Sequence, residues 1–378
     1  MEDNLEFQVD LAVKSLRRDR TRNNGISGSK MDLTHKYKLE SSYWSFEHPV
    51  TSLRLIQSEG GKPVLAVSTF SQNSKILFLD SESPYFNENN QIELRDRDSF
   101  YKTIDIDLHK DFATISKNNG KVLTACSDGG IRLWTADIDK KDNQNKFLYK
   151  FHGSKVNRAR FVDNQGFFVS VCDGGLLNVI DIEKAKCLIN MSKNEIPLTS
   201  IALHNNPAIV FTGDAVGYGV VWDLRVGKYI CDFNNKSYKD ESTGLTDKEA
   251  FPVSYRKDKV IHRHTAKITR SSFNTVGNLL VTGSENHMAF VWDMRKQSII
   301  KRLPAHTKRL VYTAFVPNDD KTLITASSEG DIKMWDWYNS IQHNEIKGSY
   351  QKLSSLAFNP TNNTFICGYL NKKVELYN

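Results

Sequence analysis

An imidazole beside a hydroxyl is the raw material of a base-activated nucleophile. This chain offers two such combinations, His264 with Ser284 and His306 with Ser327. The spacing around them does not complete the apparatus. No G-x-S-x-G elbow, phosphate-binding loop or zinc-ligand spacing occurs in the sequence. His262 and His264 stand two apart with no third ligand nearby, and the ten His fall into no zinc pattern. Gly213, Gly217 and Gly219 form a glycine cluster that tight turns explain better than a nucleotide does. The residue types argue against an enzyme, and no cofactor, metal or small-molecule substrate is expected.

What must position these residues is a repeat. A Trp-Asp or similar pair recurs at Leu79-Asp80, Trp134-Thr135, Ile180-Asp181, Trp222-Asp223, Trp292-Asp293, Trp335-Asp336 and Tyr377-Asn378. Most neighbouring pairs lie about 42 to 46 residues apart, the length of one four-stranded propeller blade. Ahead of each pair runs a short apolar or β-branched segment, such as Val64–Thr69, Ile209–Thr212 or Leu279–Thr282, that reads as a buried strand. A further strand lies upstream (Lys155–Phe161, Lys267–Phe273, Leu310–Phe315) and an outer one downstream (Lys186–Ile189, Ile299–Leu303). Seven units result, the first at 48–80 and the last at 352–378. The last unit stops at its third strand. Residues at Lys36–Leu39 or beside them are expected to supply the fourth, closing the ring and hiding the sheet edges. Two excesses break the rhythm: a polar stretch at 234–259, and a smaller one near Ser81–Ser99, both expected as loops.

These residues resemble the WD-repeat β-propeller family over roughly 35–378. The fifth unit carries the resemblance best, with His264, Leu279-Leu280-Val281-Thr282-Gly283-Ser284 and Phe290-Val291-Trp292-Asp293, and the sixth is nearly as good. The resemblance implies a seven-bladed all-β propeller. It also implies a buried hydrogen-bonded chain in each good blade: His264, Ser284 and Trp292 with Asn286 at the turn, then His306, Ser327 and Trp335 with Glu329. The second unit keeps Asp128 and Trp134 without the His. On this reading the His–Ser combinations are structure rather than catalysis.

Size and charge set the remaining bounds. The chain has 378 residues and a net charge of +7, which permits contact with RNA, DNA or acidic protein surfaces. No run of about 18 apolar residues is present, so no membrane span is expected. Five Cys, an odd number without a CxxC pair, fit a reducing compartment, nucleus or cytoplasm. Residues 1–34 read as a separate extension. Leu5, Val9, Ala12 and Leu16 recur at helical steps, and Arg17, Arg18, Arg20 and Arg22 follow before a Gly/Ser/Asn-rich linker. Its acidic start lacks the apolar core of a secretory signal.

Three roles stay open. The first is a non-catalytic scaffold that binds other proteins of a multiprotein complex through propeller faces, loops and the Leu5/Val9/Leu16 face. The second rests on Trp222-Asp223-Leu224-Arg225 and Trp292-Asp293-Met294-Arg295, which look like the box of WD-repeat substrate receptors of cullin-4 ubiquitin ligases. Arg225 and Arg295 would then meet an adaptor. The third is a ribonucleoprotein component in RNA processing or ribosome assembly, with Arg263, Arg270, Lys308 and Arg309 expected to gather on one face.

Overall fold

The computed structural model describes residues 39–56, 64–71, 73–79, 86–95, 102–108, 120–136, 145–162, 166–232, 263–347, 351–360 and 363–377. Every regular element among them is a β-strand, and the strands form seven four-stranded antiparallel sheets. In six blades the strands follow chain order from the centre outward. The inner strands of these are Val50–Ile56, Thr103–Leu108, Val156–Val162, Leu198–Leu203, Ile268–Phe273 and Leu310–Val316. The seventh blade has inner strand Leu353–Asn359, then Thr364–Tyr369 and Lys373–Tyr377. Its fourth strand is Leu39–Ser45, which pairs antiparallel with Lys373–Tyr377. The ring is closed by the N-terminal side, as the truncated last unit requires. The closing strand lies a little beyond Lys36–Leu39.

Burial explains why these segments are strands. Second strands such as Val64–Thr69, Ile209–Asp214 and Thr364–Tyr369 are buried along their whole length because a neighbouring blade covers each face. The outer strand Lys186–Ser192 alternates exposed and covered positions instead. Seven apolar clusters fill the seven gaps between blades, each drawing on two neighbours. The one between the last and first blades joins Val374 and Leu376 to Val50, Leu53 and Leu65. The core is thus a ring of interfaces, and no blade buries its faces alone.

One expectation changes. The excess near Ser81–Ser99 is partly the outer strand of the first blade, Phe86–Arg95, paired with Asn73–Leu79. Its polar sequence FNENNQIELR hides it from an apolar pattern, which an outermost strand does not need. The expected helix with Leu5, Val9 and Leu16, the basic run after it and the 234–259 loop lie outside the described residues.

Candidate functional site: a basic channel and its mouth

Each of the seven inner strands carries a register shift one residue after its first pair. The repeated bulge puts Ser52, Asp105, Arg158, Ser200, Arg270, Tyr312 and Ser355 at equivalent positions. Two residues further on, and so on the same face of the strand, come Arg54, Asp107, Arg160, Ala202, Ser272, Ala314 and Ala357. The inner strands therefore turn a one-dimensional pattern into two tiers around the central channel. Four Arg and two Asp occupy those tiers, all of them in the first three blades and the fifth.

The channel cavity, about 280 Å³, is lined by Arg54, Arg158, Arg160, Arg270, Ser200, Ser271, Ser272 and Tyr312 among others. Asp105 receives Arg160 at 2.5 Å, Arg158 at 3.3 Å and the Ser52 hydroxyl at 2.7 Å. Asp107 pairs with Arg54 at 2.9 Å and accepts the Phe161 amide at 3.0 Å. Burial alone would raise the Asp105 carboxyl, but Arg160, Arg158 and Arg270 outweigh it and hold it at about 2. Asp107 goes the other way, because burial exceeds what Arg54 and Arg160 return.

Arg270 has no carboxylate at ion-pairing distance among the described residues, and its Nη1 is sealed from solvent without a hydrogen-bond partner. Burial first, then Arg158 and Arg160, pushes it well below the ordinary guanidinium value. A guanidinium keeps its proton in a protein, so the lowering records how poorly this charge is compensated.

The mouth of the channel is basic as well. Lys155, Lys267 and Arg309, from three different blades, line a second cavity of about 200 Å³ that shares Arg158 with the first. Glu285 also lines it and pairs with Arg309 at 3.8 Å. Lys155 reaches Asp173 at 3.9 Å and Lys308 reaches Glu329 at 3.1 Å. All three pairs are about half-exposed, where an ion pair contributes little. Arg263 lies at the same end of the blades, stacked 3.8 Å over the Tyr218 ring and donating to the Val216 carbonyl. The four cations expected on one face thus separate: Arg309 lines the mouth, Arg263 and Lys308 lie at the same end of the blades outside that lining, and Arg270 is inside the channel.

The Trp-Asp-x-Arg residues occupy the opposite end of the blades. In the fourth blade the inner strand starts beside Asp214, whereas Asp223 ends the third strand beside Ile209. Arg225 folds back onto Asp223, with Nε at 3.1 Å and Nη2 at 2.6 Å from the carboxylate. Asp293 accepts the backbone amides of Arg295 and Lys296, and Arg295 is exposed.

The His residues are structural. His264 Nε2 meets Thr282 Oγ1 at 2.8 Å, and Trp292 Nε1 donates to the same hydroxyl at 2.9 Å. Asn286 Oδ1 accepts the Met288 amide and lies 3.3 Å from His264 Nδ1, which places the ring proton on Nδ1 and lets Nε2 accept from the Thr282 hydroxyl. The sixth blade repeats this with His306, Thr325 and Trp335. The linking hydroxyl is therefore Thr282 or Thr325, not Ser284 or Ser327. Those two serines accept the turn amides of Asn286 and Glu329. The third blade pairs His152 with Ser170 at 2.8 Å. The second and fourth keep only the indole bond, Trp134 to Thr124 and Trp222 to Thr212. Asp128 does not belong to such a chain; it grips Arg132 through two contacts, at 2.8 and 3.2 Å. Burial lowers His264 and His306 to about 3 and His152 to about 4, so these rings are neutral. His264 and Thr282 are 0% exposed, which leaves no path for a substrate. No group of three or more His, Cys, Asp or Glu among the described residues is placed to hold a metal ion.

Sequence reasoning found Arg270 and missed Arg54, Asp105, Asp107, Arg158 and Arg160. The signal was present: Asp105-Ile106-Asp107 and Arg158-Ala159-Arg160 alternate charge with apolar residues at the same offset in consecutive repeats.

Comparison with known proteins agrees with this architecture. Residues 256–293 and 297–336 match the family model described as WD domain, G-beta repeat. A WD repeat-containing protein 55 homolog of Dictyostelium discoideum is 22% identical over 64% of this chain and 60% of its own length. A ribosome biogenesis protein WDR12 homolog of Drosophila mojavensis is 22% identical over 79% of this chain and 70% of its own. The COMPASS component SWD3 of Saccharomyces cerevisiae is 34% identical over 23% of this chain and 28% of its own. All seven blades have one four-stranded plan and two of them match the repeat model: the chain is a seven-bladed β-propeller that carries WD repeats.

Proposed function

We propose that the protein is a non-catalytic scaffold that holds acidic segments of partner proteins against the basic mouth of its channel. The observation that carries this reading is the convergence of Lys155, Lys267 and Arg309, from three blades, on one opening. Together with Arg158 they outnumber Glu285 and Asp173, the carboxylates beside them. A rigid ring that presents cations from separate repeats favours an acidic ligand by long-range attraction and by position. The residues that resemble catalytic pairs are consumed by the blade network, which leaves the surface as the working part. No helix among the described residues is long and apolar enough to cross a membrane.

A second reading, a ribonucleoprotein component, draws on the same mouth and on relatives named for ribosome biogenesis. RNA phosphates would then replace acidic side chains, and the nucleus would be the expected site of action. The ligase-receptor reading would require Arg225 to exchange its Asp223 pairing for an adaptor.

The test is affinity capture from native extract with the wild type and a Lys267→Glu/Arg309→Glu variant, each with and without ribonuclease. Partners lost in the variant and kept after ribonuclease support the scaffold. Partners lost in both conditions favour the RNA reading, and should bind less tightly as salt rises. A partner set unchanged by the substitutions would remove the mouth from the account.

A further inference from the structure

We infer that the central channel is a binding site for a phosphate group, held between Arg158 and Arg270 inside the ring. The four Arg of the two tiers face two Asp, so the cluster keeps a net charge of +2. Arg54, Arg158 and Arg160 pair with the two carboxylates, and Arg270 has no carboxylate at ion-pairing distance among the described residues. Arg158 and Arg270 belong to the third and fifth blades and are separated by the small Ser200 of the fourth. Arg158 Nε, like Arg270 Nη1, is buried without a hydrogen-bond partner.

A guanidinium without an ion pair is unfavourable in a low-dielectric channel and favours an added anion. Two guanidiniums on one cavity, with a surplus of two charges in the cluster, match a dianion with several acceptor oxygens better than a single carboxylate. The Ser200, Ser271 and Tyr312 hydroxyls lie on the same wall. A cavity of about 280 Å³ admits a phosphate or a small monoester. The mouth lined by Lys155, Lys267 and Arg309 adjoins it and gives an anion a basic entrance. This site stands apart from the scaffold reading, since its contacts lie within the channel and a protein segment need only cover the rim.

The experiment uses the full chain, titrated with inorganic phosphate by calorimetry and followed by thermal unfolding, against chloride and acetate at matched ionic strength. Wild type should bind phosphate and unfold at progressively higher temperature as it is added, because a ligand of the folded state stabilises it. Arg270→Met should weaken phosphate binding about tenfold or more. Its melting temperature without phosphate should equal or exceed that of wild type, because a partly buried charge without an ion pair has been removed. That combination separates loss of the site from loss of the fold. Arg309→Gln, on the rim, should keep most of the phosphate response. Phosphoserine is the second probe: tighter binding than inorganic phosphate assigns the site to a monoester, weaker binding to the free ion. Equal phosphate responses in wild type and Arg270→Met, an equal response to acetate, or loss of the response in Arg309→Gln alone would each overturn the inference.

Discussion

Replacing Thr282 by Val tests whether the His–Thr–Trp chain contributes to stability as a unit. Valine copies the shape of threonine and deletes the hydroxyl, which is fully buried. Two groups lose their partner at once, the His264 ring nitrogen at 2.8 Å and the Trp292 indole at 2.9 Å. Stranding a buried polar group costs about 1–3 kcal/mol, and the added methyl returns up to about 0.8 kcal/mol. The net loss expected for Thr282→Val is about 3 kcal/mol. Thr212→Val in the fourth blade is the internal control. There the hydroxyl serves the Trp222 indole at 2.7 Å and no His precedes the strand, so the cost should be about 1 kcal/mol. Urea unfolding of both variants, followed by Trp fluorescence and far-ultraviolet circular dichroism, measures the difference. Equal losses would mean that the His adds nothing and that blade packing holds the fifth repeat.

Acid should weaken the fold before its carboxylates titrate. His152, His264 and His306 are depressed from an ordinary value near 6.5 to about 4, 3 and 3. They protonate first in the unfolded chain, so their contribution is full above pH 6.5 and is lost as pH falls toward 3–4. Each removes about 1.4 kcal/mol per pH unit in that window; His152→Gln should lower the slope of stability against pH by that amount. Gly217 has φ of +93°, and a Cβ there would drive into the His264 carbonyl. Gly217→Ala should therefore cost about 2–3 kcal/mol through strain and displacement of the neighbouring blade, measured by urea unfolding. A chain that begins at Phe46 lacks the strand that covers Lys373–Tyr377. Its open edge should drive concentration-dependent self-association, seen by sedimentation velocity, whereas the full chain stays unchanged with concentration.

The architecture was legible because a blade is written in local chemistry. Leu279-Leu280-Val281-Thr282 is apolar on both faces, Trp292-Asp293 ends the next strand, and the spacing repeats. The truncated seventh unit even announced that another segment must complete it. The linking hydroxyl was placed two residues off, at Ser284 instead of Thr282, because both side chains point to the same face of a strand with period two. Which of them meets the His depends on how deep the preceding loop sits. The channel was harder still. Arg158, Arg160, Asp105 and Asp107 belong to two separate repeats, and Arg270 comes from a third, more than a hundred residues away from Arg158 in sequence. Only ring closure brings them around one axis. Rim and interior cations also look alike in a sequence: Arg309 lies just before a strand and ends at the mouth, and Arg270, after the bulge, ends inside.

The central claim is that this basic mouth is where the protein works. Its most direct measurement is the quantitative comparison, by mass spectrometry of captured complexes, of wild type with Lys267→Glu/Arg309→Glu at matched folding by circular dichroism. The account predicts that a defined set of partners falls away about tenfold or more, while Arg225→Ala/Arg295→Ala at the opposite end leaves that set intact. Loss of the partners in the Arg225/Arg295 variant, with retention after reversal of the mouth, would contradict it.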